Sequence, residues 1–553
     1  MDQPSRPYKP EAEERDNYFF GLSGYPKLIA RTSSHQWSFP KHEEGWGGYR
    51  HSRKRYATIG EHGILSRWNK ELSLEVSAVL KECSWNYFFP IRIGLENIQD
   101  TLTYPVVLLI AVEKDSLQWE YGISIALQCR QLLQHHGILN VEVEIREGSH
   151  MQYAASRELE LHVNEPEWLT HMNINVALLP ALSYLGYSVG YLDDVSSQGT
   201  VGLHLKLGDD DAAVYALTCR HVVCNDRSPH ESYKFSEGEM RQYHVQPSDA
   251  CLTKCLDQIQ VLRDGTESKI NRVKQKQIRW DEWYSTDETK RHLRPTEDDL
   301  MDLQVAQNNL IYCDRTIDRI KAIHDKKDRK IGYLAFHSDF QVSSQRKGYL
   351  TDWGLIKLDP EKFPRGFRNR VFGQEIQGAA TVFFELGFRS LHFDRETQKD
   401  SPRVAKETQK GPPRVAKVGS TTGLTIGLKG EIEAVLRRPT TQGEDIITWE
   451  RFIISESSKD NFSAPGDSGA SVFDFDGNVV GLVTGSDSIH PHSADNKRKM
   501  KKHPGGNVST EEAGEAYDNP LMWENETDIT FVSPIEWVFE DIERLTGLAP
   551  RLV

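Results

Sequence analysis

Apolar and polar positions follow three different rhythms along this 553-residue chain, and each predicts a different kind of element. From Ile64, ILSRWNKELSLEVSAVLKEC repeats its apolar positions at helical spacing. YPVVLLIAVEK (104–114) is continuously apolar and β-branched, as suits a strand covered on both faces. WEYGISIALQCRQLLQHHG (119–137) reads as an amphipathic helix capped by Gly137, and NVEVEIRE (140–147) alternates at period two. Strand, helix and strand in so short a span predict a small βαβ-like α/β domain over 56–165. No glycine-rich phosphate loop follows its first strand, which argues against a nucleotide site and for a scaffold or partner-binding role. Residues 1–55 lack periodicity and are expected to be extended or partly disordered.

Beyond NEPEW the rhythm shortens. YSVGYLDD, GTVGLHLKLG, AAVYALTC, YLTDWGLIKL, ATVFFELGF, AKVGSTTGLTIG, GEIEAVLRR, IITWERFIIS, GASVFDFDG, NVVGLVTG and DITFVSPI are short β segments separated by glycine turns. That pattern signals a β-barrel or sandwich, and the Asp-Gly in DFDGNVVGLV marks a hairpin. PIEWVFEDIERLTG (534–547) closes the chain as a helix with Ile535, Val538, Phe539 and Ile542 on one face. Three stretches interrupt the β pattern. Residues 251–330 read as a charged helical hairpin in which Cys251 and Cys255, one turn apart, lack the further ligands of a metal site. Residues 396–417 hold a tandem duplication, ETQKDSPRVAK then ETQKGPPRVAK, with no apolar face, and are read as a lengthened surface loop. Residues 486–525 form a polar loop whose KRKMKK (497–502) is read as a solvated cluster, with nuclear import as the alternative.

Composition narrows the function classes. The chain is 38% hydrophobic and 27% charged with a net charge of −14, which argues against nucleic-acid binding as its main work. A chromatin partner reading would rest on 497–502 alone. No apolar run reaches about 18 residues, so no membrane span is expected. The N-terminus lacks an apolar h-region, and the seven cysteines do not frame a disulfide scaffold. Cytoplasm, with the nucleus as the alternative, is therefore the expected compartment rather than the exterior.

Candidate chemistry centres on APGDSGASVF (464–473), where Ser468 stands between Asp467 and Gly469 on a turn that glycine makes permissible. A serine hydroxyl needs a base to take its proton and an acid to orient that base. Among 20 histidines, His221 in AAVYALTCRHVVC stands out because it follows a β run directly, at the strand's end. In TDWGLIKLD, Asp352 stands at the mouth of an apolar strand. Three such residues, each at a strand edge in a β-rich chain, coincide far less readily than any one alone.

TCRHVV, DWGLIKL and GDSGASVFDFDGNVVGLVTG resemble the three motif blocks of chymotrypsin-fold (trypsin-like) serine proteases. VAKVGSTTGLTIG and the terminal PIEWVFEDIERLTG resemble segments of the intracellular trypsin-like proteins of fungi and plants. The resemblance covers roughly 180–545 and says nothing of 1–165. Cys219 and Arg220 replace the small residues usual beside the histidine, and the interval from 221 to 352 far exceeds the archetype's, which is about 45 residues. The helical insert accounts for the excess.

Together with the βαβ pattern read from periodicity, the resemblance implies an α+β chain. A small α/β domain precedes a chymotrypsin-like antiparallel double β-barrel, of the six-stranded type, over 175–548 with helical insert. It implies His221 as general base and acid, Asp352 as its orienting acid and Ser468 as nucleophile in peptide-bond hydrolysis through an acyl-enzyme. The Gly466 and Ser468 N–H groups would form the oxyanion hole. Phe462 falls at the base of the substrate pocket, with Val483, Thr484 and Gly485 along its wall; the absence of an acid there points to a medium or small apolar P1 residue. The expected partner is a polypeptide substrate, with a further protein partner at the N-terminal domain or helical insert; no metal or organic cofactor is implied. In secreted relatives a freed N-terminus pairs with the residue equivalent to Asp467. Here that turn is expected to be ordered constitutively, or by the N-terminal domain or the insert. The competing reading is a catalytically weak or inactive protease-fold scaffold.

Overall fold

In a computed structural model the chain is a mixed α/β protein with two large β-sheets. The described residues are 7–24, 26–38, 53–148, 150–152, 185–224, 231–284, 294–342, 348–363, 413–438, 445–456, 461–487 and 528–553, with a few single positions between them. The expected strand ATVFFELGF, nearly all of the duplicated loop and the KRKMKK cluster lie outside these residues.

The N-terminal unit is built on strands β1 (Leu28–Arg31), β2 (Lys54–Ala57), β3 (Trp85–Leu95), β4 (Val106–Val112), β5 (Glu142–Glu147) and β6 (His150–Gln152). Its first 55 residues contribute the helix Ala12–Asn17 and β1, which pairs antiparallel with β5. Every residue of β4 is buried, as its unbroken apolar sequence requires. The helix Trp119–His135 joins β4 to a parallel β5 and buries Gly122, Ile125, Ala126, Cys129 and Leu133 on one face. Gly137, at φ 75°, ends it.

β7 (Ser188–Tyr191), β8 (Gly199–Thr200), β9 (Leu203–Leu207), β10 (Tyr215–Thr218), β11 (Tyr233–Lys234), β12 (Tyr243–Val245), β13 (Lys330–His337) and β14 (Gly354–Leu358) form the second sheet, which runs β9-β10-β14-β13-β12-β7-β8. Between β12 and β13 the helices Asp249–Arg279 and Glu297–Ala322 pack as a hairpin. Cys251, Cys255 and Cys313 lie in its apolar seam with Ile259, Ile317 and Ile320.

The remaining strands are β15 (Arg414–Gly419), β16 (Gly423–Arg438), β17 (Ile446–Ser455), β18 (Ser471–Asp474), β19 (Val479–Asp487), β20 (Ile529–Pro534) and β21 (Pro550–Leu552). Antiparallel pairing runs β16-β15-β18-β19-β20-β17 and returns to β16, so these strands form a cycle. The β18–β19 hairpin turns through Gly477 at φ 80°, where the Gly477 N–H donates to the Asp474 carbonyl at 3.0 Å. The helix Ile535–Thr546 packs back on β19, and β21 pairs with β9 in the other sheet.

The N-terminal unit does not stand apart from this cycle. β3 pairs with β16 (Phe88↔Val435, Tyr87↔Leu436). One apolar core runs from Trp68, Phe88, Phe89 and Leu109 into Leu436, Phe452 and Phe531. Phe89 and Phe452 meet with ring centroids 4.5 Å apart, and the Trp68 indole donates to the Glu433 carbonyl at 2.8 Å. Phe89→Ala is therefore expected to cost about 3–5 kcal/mol and to lower the whole unfolding curve in a single denaturant transition. Two separated transitions, only one of them shifted, would show that the N-terminal unit carries its own core.

Candidate active site

The structure brings His221 and Asp352 into direct contact. His221 lies on the short helix Arg220–Val223, one residue after β10, and Asp352 stands two positions before the start of β14; the two strands are hydrogen-bonded neighbours. His221 Nδ1 and Asp352 Oδ2 are 2.7 Å apart, and the His221 backbone N–H donates to Asp352 Oδ1 at 3.2 Å. Burial raises the cost of charging Asp352. The neighbouring His221, its hydrogen bonds and Arg438 nevertheless hold the carboxyl below its ordinary pKa. The adjoining Trp353 fixes the segment: its indole donates to Asp541 Oδ2 at 2.7 Å, and its backbone N–H to Ser338 Oγ at 3.2 Å.

Ser468 occupies the turn ahead of β18, between two glycines with positive φ, Gly466 at 101° and Gly469 at 88°. A side chain on Gly469 would run into the Thr218 hydroxyl and the Thr200 carbonyl, so the turn can press against the end of β10 only with glycine there. The Val483 carbonyl ties the pieces together. It accepts from the Gly469 N–H at 2.9 Å and from Cys219 Sγ at 3.1 Å, two residues before His221. The Thr200 N–H donates to the Ser468 carbonyl at 2.7 Å. Ser468 Oγ and His221 Nε2 are both buried and, among the described residues, both lack a hydrogen-bond partner. The Gly466 carbonyl is turned toward the hydroxyls of Thr200 (2.8 Å) and Ser420 (2.7 Å).

Cys219, His221 and Asp352 place potential metal-ligand atoms within 4.8 Å of one another. Burial, then the Asp352 charge, pushes the Cys219 thiol pKa well up, so the thiol is held protonated and already donates to Val483. His221 Nδ1 is likewise engaged with Asp352. With its thiol and one ring nitrogen already engaged, the cluster is not set up as a ready metal site.

Asp467 is anchored from within. Its side chain and that of Lys417 on β15 have no exposed surface, and they are ion-paired at 3.1 Å. The carboxylate also accepts from the backbone N–H of Thr421 (2.8 Å) and Ala464 (3.1 Å) and from the Thr422 hydroxyl (2.7 Å). Lys417 was not singled out from sequence, because one lysine in an alternating strand reads as a solvated face. Below it lies Asp528, whose pKa burial pushes up to about 6 although its carboxylate accepts from the Phe462 N–H (2.7 Å) and the Ser463 N–H (3.2 Å).

The expected substrate-pocket residues are all interior. Phe462 and Val483 belong to one buried cluster with Val415, Ile453 and Val532. Thr484 donates to Glu450 Oε2 at 2.5 Å, and Gly485 pairs with Phe531.

The sequence matches no protein-family model and no curated protein. Among solved structures it is similar to a glutamic-acid-specific serine protease described as using a histidine triad in substrate binding, with 10% identity and a TM-score of 0.24. That match covers 66% of this chain and 98% of the other. It is also similar to chymotrypsin from Cellulomonas bogoriensis, with 15% identity and a TM-score of 0.18 over 40% of this chain and 76% of that one. These structural neighbours are chymotrypsin-like serine proteases, and likenesses this loose carry no further argument.

Lys417→Met would leave the Asp467 carboxylate buried without its cation. The expected loss is about 3–5 kcal/mol in chemical denaturation. Adding Asp467→Asn, which keeps an acceptor for Thr421, should recover at least half of it; no recovery would show that Lys417 stabilises by packing alone. Asp528 gives a pH signature. Its unfolded pKa is about 3.9 and its folded value about 6, so between them the folded chain holds the extra proton and stability falls as pH rises. Denaturation midpoints followed from pH 4 to 7 should show that fall, and Asp528→Asn should flatten it.

Proposed function

We propose that the chain is a serine endopeptidase on a chymotrypsin-like pair of β-barrels, with Ser468, His221 and Asp352 as its triad. The cyclic strand pairing of β15–β20 supports the second barrel, and the antiparallel sheet of β7–β14 supports the first. One observation carries the chemistry. The buried contact of Asp352 with His221 Nδ1 orients the imidazole and leaves its Nε2 without a partner among the described residues.

Asp352, ionised, holds Nδ1 protonated and so leaves Nε2 as the basic nitrogen. Nε2 takes the Oγ proton as Ser468 attacks the peptide carbonyl, then gives it to the leaving amine; a water repeats the sequence to release the acyl group. The Gly466 and Ser468 N–H groups make no hydrogen bond among the described residues and are the candidate donors for the developing oxyanion. Each such donor is worth about 3–4 kcal/mol to the transition state. The substrate is a polypeptide.

A second reading, a protease-fold scaffold with little or no activity, is favoured by one feature: Ser468 Oγ makes no hydrogen bond to His221 in the resting chain. A fluorophosphonate probe separates the two. An enzyme is labelled at Ser468, and Ser468→Ala and His221→Ala abolish that labelling. Asp352→Asn, which leaves the imidazole in the wrong tautomer, should lower peptide turnover about 10⁴-fold. A folded wild-type chain that resists labelling would leave the scaffold reading in place.

A further inference from the structure

The strand edge next to the Ser468 turn is already filled by the chain itself. One edge of β19 belongs to β20 throughout this region (Val483↔Val532, Gly485↔Phe531, Ser486↔Thr530). On the opposite edge β18 pairs only as far as Ser471↔Leu482, and the Gly469 N–H then reaches the Val483 carbonyl. Two residues further along, that edge pairs antiparallel with β6: Gln152↔Gly485, Met151↔Ser486 and His150↔Asp487. β6 therefore lies in line with the nucleophile turn and runs toward it, its last residue about 7 Å along the strand from Val483.

An endopeptidase that accepts many sequences has to hold its substrate largely by the backbone, and an open strand edge does this by adding an extended peptide as one more strand. Such a peptide must approach Ser468 along the adjoining edge. β6 has that position and is antiparallel, so it and a polypeptide substrate would compete for the same backbone groups.

β6 is held there by the residues just upstream of it. Arg146, just upstream, is ion-paired with Asp487 of β19 in a fully buried contact and donates to the Tyr87 hydroxyl at 2.5 Å. The Gly148 N–H donates to the Val112 carbonyl at 3.0 Å, and Asn86 Nδ2 to the Gly148 carbonyl at 2.6 Å. A segment anchored this closely acts at an effective concentration in the millimolar range, on the order of that for a short linker.

We propose that β6 is a built-in occupant of the substrate-docking edge at Gly485–Asp487, an intramolecular competitor that an extended polypeptide displaces. This rests on the endopeptidase reading above. It places control of the site in an element that the three-residue relay does not include.

The test uses the full-length chain with Met151→Pro, which removes a ladder N–H from β6, and independently with Met151→Gly/Gln152→Gly. Fluorophosphonate labelling of Ser468 needs no strand edge and should be the same in all three proteins. KM for quenched fluorescent casein should fall about tenfold or more in both variants, with kcat within about twofold. In a Ser468→Ala background, a labelled synthetic peptide of residues 146–152 should bind the Met151→Pro chain at least about tenfold more tightly than the chain with β6 intact. Equal KM and equal peptide binding, in labelled and folded proteins, would overturn the proposal. So would a fall in kcat in both variants, which would make β6 part of the site's construction. Absence of labelling in every chain would instead defeat the hydrolase reading, and the peptide-binding comparison would still decide whether β6 is displaceable.

Discussion

A carboxylate with none of its surface exposed has to be compensated inside the protein, and at Asp352 that requirement organises the site. The compensation comes from both sheets. His221, on the neighbouring strand of the same sheet, supplies the direct contact, and Arg438, at the end of β16 in the other sheet, adds its field. Arg438 is itself paired with Glu450 at 2.6 Å, which accepts from Thr484 on β19. The orientation of the imidazole is thus tied to how the two sheets face each other. Losing the sheet that carries β16 would cost Asp352 part of its stabilisation even with His221 in place.

The same logic recurs beneath the serine. Asp467 is as deeply buried as Asp352, and its cation is Lys417, a residue of the neighbouring strand. A turn anchored by a charge that is present as soon as β15 and β18 pair needs no freed chain end to take shape. This favours constitutive order over control by the N-terminal unit or by the helical hairpin. The cost of burying the pair is offset by three backbone N–H groups and a threonine hydroxyl on the carboxylate, without which an interior ion pair gains little.

How much of this was readable in the sequence follows from the range of each interaction. The βαβ path over 106–147 was legible because a fully buried strand and an amphipathic helix write their environments into local periodicity. His221, Asp352 and Ser468 could be singled out because each stands at a strand end beside a distinctive short motif, although the 2.7 Å contact between the first two depends on the β10–β14 register. Lys417 was hidden because its partner lies 50 positions on, in a turn whose fold only the structure defines. The pairing of Phe88 with Val435 was hidden for the same reason. An apolar strand records that it is covered, but not by what. Phe462, singled out by its place in a motif, packs with Val415 and Val532, neighbours that the motif does not record.

Together, the Lys417 anchor and the β6 pairing separate two properties that the proposed endopeptidase would have to control. The turn bearing Ser468 is fixed by contacts internal to β15–β19, so its geometry is available whether or not anything is bound. On the proposed reading, access to it runs along an edge of β19 that the N-terminal unit fills, held by an Arg146–Asp487 contact buried as deeply as Asp352. A shared core makes that arrangement stable: β3 cannot leave β16 without exposing Phe88 and Phe89, so the unit carrying β6 stays in place even if the three residues of β6 detach. Three ladder pairs are the smaller energy by far. If the endopeptidase reading holds, the physical expectation is a rigid frame with one weak strand, in which occupancy of an edge, not ordering of a loop, sets when Ser468 meets a substrate.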